Sequence, residues 1–178
     1  MLTLFAALPV PDDVAMRLLP LQTGLAGGRW RERMHFHITL AYFGEMTEPV
    51  AEELDAALGD IEAPQFDLEI EGAGWFGRKE PNSVFATVKR SAELDELARR
   101  CRKISARLGL DLDDKPFKPH ITMAYCSDTP LEAAMAWSER WQVLRAGPWT
   151  ADRFHLFESV PRAGKTSLYE AVADYPLG

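Results

Sequence analysis

Two short segments of the chain repeat the same residue order, and their side chains are of the kinds that carry out acid–base chemistry. The first reads HITLAY at residues 37–42, and the second reads HITMAY at residues 120–125. Both favour β-strands, in which residues two apart point to the same face. Each segment therefore presents one imidazole and one hydroxyl on the same side. A single His-x-Thr is a weak signal, but two extended copies in a chain with four histidines are a strong one.

The two copies together supply the groups that phosphodiester hydrolysis needs. Histidine titrates near neutral pH, so one imidazole can take a proton from water while the other gives one to the departing ribose oxygen. Threonine hydroxyls can donate to the non-bridging phosphate oxygens, where charge builds up in the transition state. His37 and His120 are therefore the candidate catalytic residues, and Thr39 and Thr122 the candidate phosphate-binding residues. We expect this chemistry to need no metal ion and no cofactor.

The elements that position these motifs follow one order in both halves of the chain: strand, helix, strand, helix, strand. The residue pattern predicts strands at 2–8, 35–43, 66–70, 83–89, 117–125, 153–158 and 167–172, and helices at 12–25, 50–58, 91–108 and 131–141. The glycine-rich stretch 72–82 is predicted to be a loop that connects the halves. The repeat predicts two related, interleaved lobes facing each other across a cleft, within a single domain of residues 1–178.

Composition limits the classes of function. With 47% hydrophobic and 26% charged residues, the chain is typical of globular proteins. The net charge of −7 argues against a protein that coats long RNA, because such proteins present a broad basic face to the phosphates. The two cysteines have no Cys-x-x-Cys spacing, and the apolar start at residues 1–9 is too short to span a membrane. We therefore expect a cytoplasmic protein.

Residues around the two motifs resemble one known family. The chain resembles the 2H phosphoesterase superfamily, which is named for paired His-x-Thr motifs, and within it the RNA 2′,3′-cyclic phosphodiesterases once described as 2′–5′ RNA ligases. The resemblance runs through nearly the whole chain. Besides the motifs, it is carried by FAALP at 5–9, Trp30, FGE at 43–45, Phe76, Pro81, Phe117, Pro119, Ser159, Gly164 and Tyr169.

This resemblance implies an α+β, bilobal 2H phosphoesterase fold, in which each pseudo-symmetric lobe holds an antiparallel sheet flanked by helices and the active-site cleft lies between them. It implies hydrolysis of a 2′,3′-cyclic phosphate to a 2′-phosphomonoester. His37 would be the proton donor to the leaving 3′ oxygen, and His120 the acceptor that activates water. Thr39 and Thr122 would hold the phosphate. No protein partner is implied, and we expect a monomer.

Four further residues are candidates for lining the cleft: His35, Lys118, Tyr125 and Arg162. Many members of the family have arginine where this chain has Tyr125, so phosphate binding by that arginine would fall to Lys118 or Arg162. His35 and His37 form a His-x-His that could bind zinc with a third ligand. The matching position of the second copy is Lys118, which favours a cleft-lining role for His35 over a metal site.

The sequence leaves the substrate open. Related reactions are hydrolysis of small cyclic nucleotides or of an ADP-ribose cyclic phosphate, and the reverse joining of RNA ends through a 2′–5′ bond. A module that binds nucleotides without turnover is the alternative from another class. Intact paired motifs favour an enzyme over a binding module.

Overall fold

The computed structural model describes residues 1–110 and 115–178, and within them the chain forms two antiparallel sheets and four α-helices. The strands are β1 (Leu2–Pro9), β2 (Gly28–Trp30), β3 (His37–Met46), β4 (Phe66–Phe76), β5 (Ser83–Val88), β6 (His120–Cys126), β7 (Arg145–Ala151), β8 (Arg153–Arg162) and β9 (Lys165–Pro176). The helices are α1 (Asp12–Leu18), α2 (Glu48–Gly59), α3 (Ala92–Arg107) and α4 (Leu131–Arg140). None of these helices is long and apolar enough to cross a membrane.

The two sheets divide the motifs between them. The first sheet has four strands in the order β3-β1-β8-β9, and the second has five in the order β2-β6-β5-β4-β7. The first motif lies on β3 and the second on β6, and these two strands are in contact. The prediction of an α+β fold with one antiparallel sheet in each lobe is confirmed.

The chain crosses between the sheets several times. It passes from β1 in the first sheet to β2 in the second and back to β3, and it returns to the first sheet for β8 and β9. Helices α2 and α3 contact the first sheet, whereas α1 and α4 contact the second. Helix α3 lies between β5 and β6 in sequence, so it leaves the sheet of its flanking strands to cover the other one.

The helices form where apolar residues recur at helical spacing. In α3 the side chains of Leu94, Leu97, Cys101 and Ile104 are buried, as the pattern predicts. The Ser91 hydroxyl accepts a hydrogen bond from the backbone N–H of Leu94 and so caps the start of the helix. The buried stripe fixes α3 against β3, and thus supports the strand that carries the first motif.

Several predicted boundaries were wrong. The first helix ends at Leu18 and is followed by a 3-10 turn that contains Pro20, which cannot continue an α-helical hydrogen-bond ladder. Strand β4 continues to Phe76, through much of the stretch 72–82 that was predicted to be a loop. Strands β2 and β7 were missed, because one has three residues and the other contains glycine and proline.

Candidate active site

A β-bulge in each motif strand decides which side chains face the cleft. Leu40 on β3 has no partner residue on β1, and Met123 on β6 has no partner residue on β5. An extra residue reverses the alternation of the two faces. Tyr42 and Tyr125 therefore point to the same face as the histidine and threonine of their own motif. The sixth residue of each motif thus has the same position relative to the bulge in both sheets.

Aromatic side chains of the first sheet surround His37. The ring centroid of His37 lies 5.1 Å from that of Phe5, 5.4 Å from that of Tyr169 and 6.4 Å from that of Phe157. Phe5, Phe157 and Tyr169 belong to β1, β8 and β9, so three neighbouring strands fix the imidazole. The side chain is half-buried among them.

His120 has a matching environment in the second sheet. Its ring centroid lies 4.8 Å from that of Phe76 and 5.1 Å from that of Phe85. Phe85 lies over the backbone of β4 at Gly74, where an added Cβ would come within 2.7 Å of the ring. The absence of a side chain at Gly74 thus lets Phe85 reach the position from which it packs against the catalytic candidate.

Each motif histidine is held by the backbone two residues before it. The Nδ1 atom of His37 is 2.7 Å from the carbonyl oxygen of His35, and that of His120 is 2.6 Å from the carbonyl oxygen of Lys118. A carbonyl oxygen only accepts, so Nδ1 carries the hydrogen and donates it. In the neutral ring Nε2 is then unprotonated. In both copies Nε2 is the atom that can take up or release a proton.

The surroundings favour the neutral form of both imidazoles. Burial is the main cause that lowers the pKa of His37 to about 4; the hydrogen bond to the carbonyl of His35 opposes it, and the positive charges of Arg31 and His120 act in the same direction as burial. Burial also lowers the pKa of His120, and the charge of Lys118 acts in the same direction.

The two motif threonines lie beside the histidines and can act as donors. Thr39 and Thr122 are half-buried, and each shares a face with its histidine. Within the described residues neither hydroxyl is hydrogen-bonded to another side chain or to a carbonyl oxygen. Both are available to donate to an oxygen of a bound ligand.

A cavity of about 710 Å³ opens where the two sheets meet. Thr39 and Tyr42 line it from the first sheet, and Phe76 and His120 from the second. Lys118 also lines it, with its ammonium 5.3 Å from the ring centre of Phe76. Its volume is typical of a pocket for a small organic ligand, and its lining combines aromatic side chains with a motif histidine and a motif threonine.

The other predicted residues lie at different places around the cleft. Lys118 lines this cavity and Tyr125 lines a second one nearby. Arg162 is exposed, and its side chain donates to the carbonyl oxygen of Thr166. Lys118 and Arg162 were the two cations expected to replace the family arginine. The structure places Lys118 in the cleft and Arg162 on the surface beside it.

His35 does not lie on the motif strand. It belongs to a 3-10 turn at Arg33–His35, so the prediction that the strand starts at residue 35, which would put His35 and His37 on one face, was wrong. The His35 ring is buried, lies 5.4 Å from the ring of Tyr169, and has no hydrogen-bond partner at either nitrogen. Across residues 1–110 and 115–178, no group of three His, Cys, Asp or Glu side chains could hold a metal ion.

The sequence reasoning missed Arg31, a buried cation that lines the second cavity. Its guanidinium is buried and lies over the rings of Tyr125 and Tyr169, at 5.3 Å and 5.2 Å from their centres. The signal in the sequence is the run Arg29-Trp30-Arg31, because alternation on a strand puts both arginines on one face. The strand has only three residues, so the pattern was too short to be recognised.

The sequence is similar to proteins of one family. Residues 10–161 match the model of the 2′–5′ RNA ligase superfamily. An RNA 2′,3′-cyclic phosphodiesterase of Geobacillus stearothermophilus is 34% identical over 158 residues, which are 83% of this chain and 47% of that protein. One of Aeropyrum pernix is 33% identical over 115 residues, which are 64% of this chain and 61% of that protein. The chain thus matches about half of the length of the first relative and three fifths of the second.

Solved structures share the fold over almost the whole chain. The crystal structure of Escherichia coli LigT complexed with 3′-AMP has a TM-score of 0.80 at 25% identity, covering 99% of this chain and 98% of that chain. A crystal structure of a Thermus thermophilus protein has a TM-score of 0.77 at 26% identity, covering 98% and 97% of the two chains. Both sheets are therefore part of the shared fold.

Proposed function

Because the chain belongs to the 2′–5′ RNA ligase superfamily, we propose that it hydrolyses the 2′,3′-cyclic phosphate at RNA ends to a 2′-phosphomonoester. One observation carries this proposal. Two histidines on contacting strands each have Nδ1 bound to a carbonyl oxygen, which leaves Nε2 of both for proton transfer. The names of the two relatives, both RNA 2′,3′-cyclic phosphodiesterases, support the same activity.

The reaction needs one base and one acid on opposite sides of the phosphorus. His120 Nε2 takes a proton from water as the water oxygen bonds to phosphorus. The bond from phosphorus to the 3′ oxygen breaks, and His37 Nε2 gives its proton to that oxygen. The product carries a 3′-hydroxyl and a 2′-phosphate. The hydroxyls of Thr39 and Thr122 donate to the non-bridging oxygens, which gain charge as the fifth bond forms.

Substrate binding prepares the acid. A proton donor must be an imidazolium, yet burial lowers the pKa of His37 to about 4 in the unliganded protein. A phosphate anion beside Nε2 stabilises the charged ring, so the pKa of His37 rises when substrate binds. The negative charge of the substrate therefore favours protonation of His37, which later gives this proton to the leaving 3′ oxygen.

Product analysis tests the proposal directly. The protein is incubated with 2′,3′-cyclic mononucleotides and with short RNAs that end in a cyclic phosphate, in the presence of EDTA, and products are identified by phosphorus NMR. We expect 2′-phosphates and no loss of rate on chelation. Activity that EDTA abolishes and zinc restores would contradict the two-histidine mechanism. Binding without turnover of any substrate would make the protein a nucleotide-binding module.

We further propose that the protein is a monomer and that it works in the cytoplasm. Cys101 and Cys126 are both free thiols, which fits a reducing compartment. Sedimentation of the purified protein and fractionation of cells that express it would test these two points.

A further inference from the structure

A second cavity, of about 680 Å³, lies beside the histidine pair and is strongly basic. Its lining includes the cations Arg29, Arg31 and Lys165 and the hydroxyl groups of Thr166 and Ser167. This cluster of positive charge stands out in a chain of net charge −7. Local cation clusters of this kind attract anionic ligands even when the whole protein is acidic.

Arg31 is the least ordinary of these cations because it is buried without a counter-charge. Its side chain is 6% exposed, and among the described residues no carboxylate lies within ion-pair distance of it. Its Nη2 atom has no hydrogen-bond partner. Two tyrosine rings lie against the guanidinium, but they carry no full negative charge. A buried, unpaired charge is costly, and an anionic ligand in the cavity would offset that cost.

The register of β2 aims both arginines at the cleft. Arg29 lies opposite Tyr125 on β6, and residues that lie opposite each other in an antiparallel pair share a face. Arg31 directly follows the strand; its backbone N–H donates to the carbonyl oxygen of Met123 on β6, and its side chain lines the same cavity as that of Arg29. Trp30 points to the opposite face, where its ring lies 6.3 Å from that of Trp137 in the core. The arginines are therefore held on the face that also carries the second motif.

The basic cavity is next to the reacting phosphate but separate from it. None of the motif histidines or threonines lines it. Tyr169 lies between the two places, with its ring 5.4 Å from the ring of His37 and 5.2 Å from the guanidinium carbon of Arg31. One aromatic ring thus separates the catalytic candidate from the buried cation. An RNA chain also places its next phosphate one nucleotide away from the terminal one.

We propose that the cavity around Arg31 binds the phosphodiester that precedes the terminal cyclic phosphate, so that the preferred substrate is an RNA end of at least two nucleotides. The inference rests on the proposed function and narrows its substrate class. Arg31 supplies charge-assisted hydrogen bonds to this second phosphate, and Arg29 and Lys165 add charge at the cavity rim. Small cyclic mononucleotides lack the second phosphate and leave the cavity unused.

The test compares kcat/KM for a 2′,3′-cyclic mononucleotide with that for a dinucleotide ending in the same cyclic nucleotide. We expect the wild-type protein to prefer the dinucleotide, and Arg31→Gln to lower this preference ratio at least about tenfold, as loss of a charge-assisted hydrogen bond would. Arg31 also lowers the pKa of His37. This effect changes the hydrolysis of both substrates equally, so it does not change the ratio of their kcat/KM values. A wild-type ratio near one, or a ratio that Arg31→Gln leaves unchanged, would overturn the inference.

Two further variants keep the test decisive. Lys165→Ala changes an exposed residue next to the β8–β9 turn, and it should also lower the ratio if Arg31→Gln does not fold. Arg33→Gln is the matched control, since Arg33 is on the same segment but is paired with Asp12 outside the cavity; both rates should stay unchanged.

Binding measurements can distinguish a failure of this inference from a failure of the proposed function. If the wild-type protein hydrolyses neither substrate, calorimetry with the 2′-phosphorylated mononucleotide and dinucleotide still reports on the cavity. Tighter binding of the dinucleotide, lost in Arg31→Gln, would support the second phosphate site. Equal affinity for the two would reject it.

Discussion

The two motif histidines have the same backbone hydrogen bond but different neighbours. His37 lies among Phe5, Phe157 and Tyr169, whereas His120 lies against Phe76 and Phe85. Because the carbonyl fixes the same tautomer in both rings, a difference in role comes from these surroundings rather than from the ring orientation. The charge state of each imidazole is therefore the property to measure first.

The pKa of His37 gives a first prediction. In the folded protein it is lowered to about 4, so the Cε1–H signal of His37 should stay at its neutral position as pH falls from about 7 to about 5. Inorganic phosphate should raise this pKa, because the bound anion stabilises the imidazolium. NMR titration of ¹³C-labelled protein, with His37→Gln to assign the signal, measures both. Titration at the ordinary histidine pKa without phosphate would contradict the burial argument.

The same lowered pKa predicts how stability depends on pH. An unfolded histidine titrates near 6.5 and binds its proton more readily than the folded one, so the free energy of unfolding should fall as pH drops from about 6.5 to 4. At pH values above the unfolded pKa this contribution is fully present. Urea unfolding at neutral pH and at about pH 5 measures the loss, which should be smaller in His37→Gln. An equal loss in the variant would assign the effect to other groups.

A pair of alanine variants tests the roles of donor and acceptor. His37→Ala and His120→Ala should each lower kcat by at least about 10²-fold, the usual size of one acid–base contribution. A diester with a nitrophenyl leaving group needs little protonation, so it should restore much more activity to His37→Ala than to His120→Ala. Equal restoration in both would contradict the donor and acceptor assignment while leaving the site in place. The double variant should lose less than the product of the single losses, since the two groups act in one step.

At the scale of elements, a bulge in each motif strand sets which side chains face the cleft. Skipping Leu40 in β3 and Met123 in β6 turns Tyr42 and Tyr125 toward the cleft. The supporting strands contribute close packing instead. On β4 the missing side chain of Gly74 makes room for Phe85, which in turn packs against His120.

A glycine pair tests that packing. In Gly74→Ala the new methyl would meet the Phe85 ring at 2.7 Å, so the ring must move. We expect a loss of about 1–3 kcal/mol in the free energy of unfolding, typical of overpacking, and a clear fall in kcat as His120 loses its support. The control is Gly59→Ala, where an added Cβ has nothing within 4 Å. Unchanged kcat in Gly74→Ala would show that Phe85 does not position His120.

Some elements could be predicted from sequence and others could not, for physical reasons. The buried stripe of α3 and the His-x-Thr spacing are local patterns, and both predicted their faces correctly. Strand β2 was not predicted, because three residues are too few to show an alternating pattern. Arg31, which follows this strand, was missed for the same reason. The burial of Arg31 depends on Tyr125 and Tyr169, which come from β6 and β9 and which no local pattern joins. Site residues that are brought together by strands far apart in sequence can be recognised only from the structure.

At the scale of the whole molecule, the crossings of the chain tie the two sheets together. Helix α3 covers the first sheet although its neighbours in sequence, β5 and β6, belong to the second. We propose on this basis that residues 1–178 unfold as one cooperative unit. The first sheet could not keep α3 in place if β5 and β6 of the second sheet were lost.

Paired core variants test cooperativity. Leu8 in the first sheet and Leu68 in the second are both buried, and Leu→Ala in a core costs about 2–5 kcal/mol. Each variant should lower the midpoint of a single transition that far-UV circular dichroism and tryptophan fluorescence report together. Two separate transitions, with one variant shifting only one of them, would show that the halves fold independently.

The turn that joins β8 to β9 consists of Ala163 and Gly164 alone, and it is exposed at the edge of the first sheet. Immediately after it come Lys165, Thr166 and Ser167, which line the basic cavity. During evolution this tip can change in length and sequence at little cost, because surface turns tolerate such changes better than sheets do. If the cavity binds the second phosphate as proposed, preference among RNA ends can diverge between lineages through this hairpin, while the bulged strands that hold the two histidines stay as they are.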